Sequence, residues 1–362
     1  MFIPILLCAA LAGCSASRTN DPPTPQPATR PAADANLQRF EYVAPKMGTV
    51  FSIFLYAPDK AVADRAADAV WARVDELNHT FSDYDPNSEL SKLSQQTLDG
   101  PMPQPVPVSD DMYRLMEYSL DAARQSEGTF DITIGPLVRL WRRSRELHQV
   151  PAPERVEEAK KSVGYRFLKL DPEHHAVQLL APRMRLDVGG IAKGYTSREA
   201  LKVLRKFGID RALVGAAGDV SIGQPPPGKE KWTVALASLE PKETTPATYA
   251  NLRDYGVSTS GDTERFVIID GVRYSHIIDP ATGLGLTDRI CVNAIAPDDT
   301  VADWLAAAVC IMGPEKGLAL IERTPGAAAR ITRIEGDRVR VWESKRLHEF
   351  AGASPVRQRA ED

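Results

Sequence analysis

The order in which this chain changes its hydrophobic period limits the fold more than any other feature. Strand-like segments come in runs and helical segments come in runs, with no regular alternation between them. From Phe40 to Tyr56 the pattern alternates, with Phe51, Ile53 and Leu55 on one face and Met47-Gly48-Thr49 at its centre. Val62, Ala66, Val70, Val74 and Leu77 then recur at helical spacing, so 60–79 reads as an amphipathic helix running into the irregular stretch FSDYDPNSEL. A second helix is expected over about 110–126 with Ser109 as its N-cap. Gly128-Thr129-Phe130-Asp131 breaks the period. Short helices over GPLVRLWRRS and PERVEEAKK follow, then β runs near 167–170, 176–180 and 183–187, and a helix that opens in a glycine-rich turn after Asp187. Further β-rich segments fall near 211–222, 231–238, 256–260, 265–269 and 272–278. Helices near 300–312 and 315–323 precede a hairpin of 328–334 and 338–343. Segregated strands and helices predict an α+β body rather than a βαβ repeat.

The opening MFIPILLCAALAGC is an apolar run too short to span a bilayer and ends in small residues, as a secretory signal does. Leu11-Ala12-Gly13-Cys14 resembles the lipobox of bacterial lipoproteins, which makes residues 1–13 the signal and Cys14 the lipidated first residue of the mature chain. Residues 15–38 carry prolines at 22, 23, 25, 27 and 31 with almost nothing to bury, so 14–38 reads as an anchor and tether. The folded body is expected over 39–350, with a polar, disordered tail at 351–362. A chain with 43% hydrophobic and 25% charged residues has ordinary globular usage. Its net charge of −4 and the lack of a basic run argue against a nucleic acid partner. Only Cys291 and Cys310 fall in the body, so no disulfide framework is implied.

Four segments have the residue types that chemistry needs. Leu186 to Tyr195, LDVGGIAKGY, leaves a strand and opens a helix, where unpaired N–H groups favour an anion; the plainer alternative is a tight turn capped by Asp187. Ser258 to Asp262 and Tyr274 to Pro280 place His276 near Asp262 and Asp279, either of which could orient it; a lone histidine on a β segment is otherwise structural. Asp303 stands near the start of an apolar helix and suits either one oxygen ligand of Mg²⁺ or a capping acid. Phe81 to Leu90 and Thr129 to Asp131 combine aromatic and acidic groups that can stack on a flat ring and read its edge, or form surface turns.

Taken in order, MGT, FSDYDPNSEL, GTFDITIGPLVRLW, LDVGGIAKGY, GAAGDV, STSGDTERF, YSHIIDPATG and VADWLAAAVCIMG resemble, over about residues 40–335, the ApbE family of FAD:protein FMN transferases. The resemblance implies a two-lobed α+β body related to the T-fold, with mixed or antiparallel sheets, flanking helices and a cleft for FAD with Mg²⁺ or Mn²⁺. It implies cleavage of the FAD pyrophosphate, transfer of FMN to a Thr or Ser hydroxyl of a target redox protein, and release of AMP. By matching position, Met47, Ser82, Asp83, Tyr84, Thr129, Phe130, Asp131, Asp187, Lys193, His276 and Ile278 would contact FAD. The metal would sit at the Gly190 carbonyl, the Asp303 carboxylate and position 307. His276 would serve as general base beside the catalytic Asp303.

Two segments depart from the pattern. The family places Thr four residues after the metal-binding Asp, where this chain has Ala307, and Ala216-Ala217 replaces Gly-Gly. The same residues also admit an FAD pyrophosphatase giving FMN and AMP, and the missing hydroxyl at 307 admits a flavin-binding lipoprotein without catalysis. The resemblance and the N-terminus together place the protein in a bacterial envelope, lipid-anchored and facing the periplasm, on the outer or the inner membrane.

Overall fold

The computed structural model describes residues 36–239, 248–261 and 265–352. Cys14, the signal, nearly all of the proline-rich tether, Asp262 and the chain from 353 lie outside these residues.

An eight-stranded antiparallel sheet runs through the molecule in the order β1 (Gln38–Lys46), β2 (Thr49–Ala57), β6 (Ala212–Ala216), β7 (Asp219–Ile222), β10 (Gly256–Gly261), β13 (Ile290–Ala296), β14 (Ala328–Glu335) and β15 (Arg338–Glu343). Helices α1 (Lys60–Phe81), α6 (Ala192–Lys206) and α7 (Asp299–Arg323) pack on one face. Phe51, Ile53 and Leu55 of β2 are fully buried there against Val70 and Val74 of α1 and Leu201 and Leu204 of α6. Each such side chain contributes about 1.5–3 kcal/mol on leaving water. The other face is covered by a small sheet of β16 (Ala351–Gly352), β9 (Thr248–Leu252) and β8 (Trp232–Leu236). A third sheet joins β3 (Val106–Pro107), β5 (Ala176–Leu179) and β4 (Leu168–Asp171), packed with α2 (Glu89–Gln95) and α3 (Asp110–Gln125). Helices α4 (Gly135–Leu147) and α5 (Pro153–Lys160) share a smaller core with the hairpin of β11 (Phe266–Ile269) and β12 (Val272–Ser275). The architecture is α+β.

Several local expectations change. The single strand over 40–56 is a hairpin, because Met47 and Gly48 both take positive φ (49° and 67°) and turn the chain in two residues. The run 183–187 forms no strand; its one bridge, Arg185 with Ile134, pairs with an irregular segment. FSDYDPNSEL ends in a helix, α2, capped by the Ser88 hydroxyl on Ser91 N–H at 3.0 Å. Strands β9 and β13 have no counterpart among the expected segments. In β13 all seven residues are buried, so the alternation that marks a half-exposed strand is missing. The two late helices fall where expected, parted at Gly313 (φ 75°, ψ 177°) just before Pro314, and α7 denotes both. The described chain extends to Gly352, two residues past the expected end of the body at 350, where β16 pairs with β9. Ala217 sits at φ 55° in the β6–β7 turn, which explains why glycine suits that position: the left-handed region costs a side chain about 1–2 kcal/mol.

Candidate active site

The glycine turn at 187–191 delivers α6 with no side-chain cap of its own. Its Asp187 carboxylate accepts the Gly189 N–H at 2.9 Å, and the cap of α6 comes instead from another helix. Asp303 of α7 accepts the Gly194 N–H through Oδ2 at 2.9 Å and faces the Lys193 ammonium through Oδ1 at 3.3 Å. Asp303 therefore does not cap its own helix; Asp298 does that, accepting Thr300 N–H at 2.9 Å. Such a close crossing of α6 and α7 requires Gly194, where a Cβ would lie 2.4 Å from the Asp299 carbonyl oxygen.

Lys193 also reaches Asp219 Oδ2 at 2.7 Å, and Ser258 donates its hydroxyl to Asp219 Oδ1. Two carboxylates, 1% and 2% exposed, thus share one ammonium and leave a negative surplus. Burial and then the facing Asp219 push the Asp303 pKa up to about 6, against the opposing pull of Lys193 and Gly194 N–H. Burial alone would lower the Lys193 pKa, but Asp219 and Asp303 outweigh it and hold the group above its ordinary value. Asp219 Oδ2 has that ion pair but no hydrogen bond. Hard oxygens with a charge deficit suit a divalent cation. Among the described residues no cluster of three or more His, Cys, Asp or Glu side chains could cage one, so an ion here would take water or substrate phosphate as well. Gly190 borders the same place: a Cβ there would stand 3.1 Å from the Phe130 ring and 3.4 Å from the Ala307 methyl. The structure thus brings Gly190, Lys193, Asp303 and Ala307 together, with Phe130 packed against Trp304 as the apolar wall.

A second cluster lies at the turn's start. Arg142 of α4 pairs with Asp83 at 2.5 Å and Asp187 at 3.2 Å, and its guanidinium stacks 4.1 Å from the Tyr84 ring centroid. Burial, then the neighbouring Asp83, raise the Asp187 pKa. Tyr84 is 77% exposed and offers a face to a planar ligand. Ser82 and Asp131 hold loops in place. Ser82 Oγ accepts the N–H groups of Tyr84 and Asp85, each at 3.2 Å. Asp131 accepts Thr133 N–H at 2.8 Å and Tyr165 N–H at 2.6 Å. Thr129 is partly exposed beside them, Met47 lies in its hairpin turn, and Ile278 is buried in the α4–α5 core.

His276 follows β12. Its Nδ1 lies 3.0 Å from the Arg265 carbonyl oxygen, which can only accept, so the proton sits on Nδ1 and Nε2 is left with a lone pair. The expected carboxylate orienter is absent from this bond: Asp279 accepts the Ala281 N–H of its own turn at 2.8 Å, the other candidate, Asp262, lies outside the described residues, and a backbone carbonyl holds Nδ1. Although solvent touches the ring, the protein around it lowers its pKa below 6.5; the Arg265 carbonyl acts the other way, and the cations of Arg265, Arg145 and Lys193 lower it further. Sequence reasoning missed Arg142, Asp219 and Arg265. GAAGDV and the basic face of GPLVRLWRRS were the available signals for the first two, whereas a backbone carbonyl leaves none. A surface hollow of about 450 Å³ is lined by Glu117, Tyr165 and Arg166, of which Tyr165 also bonds Asp131.

The ApbE family profile matches residues 47–331. The FAD:protein FMN transferase of Treponema pallidum is 32% identical over 323 residues, covering 83% of this chain and 88% of its own. That of Escherichia coli K12 is 29% identical over 354 residues, covering 95% and 96%. Among solved structures, the flavin transferase ApbE from Vibrio cholerae superposes with a TM-score of 0.77 at 25% identity, covering 87% of this chain and 99% of that one. The chain therefore belongs to the ApbE family and is an enzyme of the FAD:protein FMN transferase type.

Proposed function

We propose that the protein transfers FMN from FAD to a Thr or Ser hydroxyl of a target redox protein and releases AMP in a Mg²⁺-dependent reaction. The observation that carries this reading is the buried Asp303–Lys193–Asp219 group with the Gly190 backbone beside it, at the start of α6. Asp303 and the Gly190 carbonyl would hold the ion, which when bound neutralises pyrophosphate charge as a Lewis acid. Mn²⁺ would meet the same oxygen donors. The α6 N-terminus and Lys193 supply fixed positive charge where the leaving AMP becomes more negative. Tyr84 offers an aromatic face to a planar ring of FAD, and Phe130 backs the site as an apolar wall. His276 Nε2 accepts the proton of the acceptor hydroxyl as its oxygen bonds to the FMN phosphorus and the bond to AMP breaks. With water in place of the acceptor, the same residues give FMN and AMP.

The lipobox-like Cys14 supports a lipid-anchored protein of the bacterial envelope whose body faces the periplasm.

The test measures AMP release from FAD with Mg²⁺, with and without an acceptor domain, against Asp303→Ala. AMP together with covalent FMN on the acceptor, both lost in the variant while its thermal melt stays cooperative, is the expected result. AMP without labelling indicates the hydrolase, and FAD binding without AMP at any metal concentration indicates a binding protein.

A further inference from the structure

Asp219 reaches the site from the large sheet, whereas Asp303 reaches it from a helix. It is the first residue of β7, delivered by the turn in which Ala217 takes positive φ and Gly218 passes close to β10, where a Cβ would stand 3.1 Å from the Thr259 carbonyl oxygen. Gly218 O accepts Thr259 N–H at 3.0 Å and Val220 pairs with Val257, so the register sets Ser258 directly opposite Asp219. Residues directly opposite in an antiparallel pair lie on one face of the sheet. Ser258, 1% exposed, donates its hydroxyl to Asp219 Oδ1, which fixes the rotation of the carboxylate and leaves Oδ2 for Lys193 at 2.7 Å.

The Lys193 ammonium faces three oxygens at unequal distances: Asp219 Oδ2 at 2.7 Å, Asp303 Oδ1 at 3.3 Å and Gly189 O at 3.4 Å. Its three protons and flexible stem let it close on whichever carboxylate other groups hold less well. In Asp303 the freer oxygen is Oδ1, because Oδ2 accepts the Gly194 N–H. That oxygen is the one a divalent cation would share. An ammonium and a cation at a single buried oxygen repel each other, and little water is there to screen them. Asp219 decides the competition, since it holds the lysine more closely than Asp303 does.

Building on the Mg²⁺-dependent reading, we infer that Asp219, fixed by Ser258, is a positioning residue that keeps Lys193 from closing on Asp303 and so leaves Asp303 Oδ1 to the cation. Lys193 then lends its charge to the pyrophosphate instead of competing with the ion for its ligand. An Asp219 that only stabilised the fold would have no bearing on metal binding. An Asp219 that touched the ion itself would act on it whether or not a lysine stood between them. A double-mutant cycle with position 193 separates the three roles.

The experiment measures Mn²⁺ binding to the full chain without FAD, from the loss of the free Mn²⁺ EPR signal. Asp219→Asn and Ser258→Ala are each tested with Lys193 in place and in the Lys193→Met background. Asparagine keeps the shape of the side chain and still accepts the Ser258 hydroxyl, but it does not neutralise the ammonium, which turns to Asp303. Ser258→Ala changes no charge, so it does not reach the ion through the electrostatic field. The proposal expects both variants to weaken Mn²⁺ binding at least about fivefold more with Lys193 than in the Lys193→Met background, where Ser258→Ala stays within about twofold of its parent. Cooperative thermal melts verify folding, and if Asp219→Asn does not fold, the Ser258→Ala pair decides alone. Equal losses in both backgrounds overturn the proposal in favour of direct action on the ion, and no loss in either overturns it in favour of a structural role. If the wild type binds no Mn²⁺, or binds it no better than Asp303→Ala, the Asp303 metal site falls and this proposal with it; the Mg²⁺ dependence of AMP release, measured separately, tells whether the transferase reading falls too.

Discussion

His276 and Ala307 are the two residues where chemistry can be read most directly. A base works in its neutral form, which is present above its pKa. Because the His276 pKa lies below 6.5, acceptor-limited transfer should rise with pH only below that value and be flat from neutrality upward. A kcat/KM profile for the acceptor checks this, and a limb centred above 7 would contradict it. At position 307 a methyl faces Gly190 where the family's resemblance calls for a hydroxyl. Ala307→Thr should lower the Mg²⁺ concentration for half-maximal activity about tenfold, while costing about 0.5 kcal/mol of helix propensity in α7. A metal titration alongside urea unfolding separates the two effects. The sequence marked both residues. It did not reveal that a carbonyl, rather than Asp279, orients the imidazole, because backbone partners carry no residue signature.

Where α6 crosses α7, one glycine sets the spacing. Gly194→Ala would place its Cβ 2.4 Å from the Asp299 carbonyl oxygen and 2.8 Å from the Asp303 Cβ. The helices must separate, so the variant should lose about 1–3 kcal/mol in urea denaturation even though alanine favours a helix. It should also lose activity, since Asp303 moves with α7. Elements with one wet face were legible: α1, α3 and the last hairpin lie within two residues of their expected bounds. β13 was not, because burial on both sides erases the alternation. The Met47-Gly48 turn was hidden because methionine is not a residue that favours positive φ, so only Gly48 of the pair signals a turn; the paired positive φ values separate β1 from β2.

For the whole molecule, the buried carboxylates at the α6–α7 crossing tie stability to pH. Burial, with Asp298 adding to it, pushes Asp299 up to about 7 from an ordinary 3.8. A carboxyl whose folded pKa exceeds its unfolded value binds its proton more tightly when folded. Asp299 therefore stabilises the fold below pH 4, and the contribution is lost as pH rises toward 7. Asp299→Asn should flatten the stability curve between pH 4 and pH 7, by a difference on the order of a few kcal/mol, read from urea midpoints. The α+β class was legible because the strand and helix runs are separated along the chain. The strand order was not, because β6, β7 and β10 enter the sheet between β2 and β13 through tertiary pairing alone.

Asp303 closes the start of a helix that belongs to a different part of the chain. A lineage that abandoned flavin chemistry would therefore still be selected to keep an aspartate at this position, since it caps α6 and adds about 1 kcal/mol to stability. Its presence in a distant sequence reports an intact scaffold, not a working enzyme. Position 307 caps no helix, so selection for activity and its relaxation should be recorded there first.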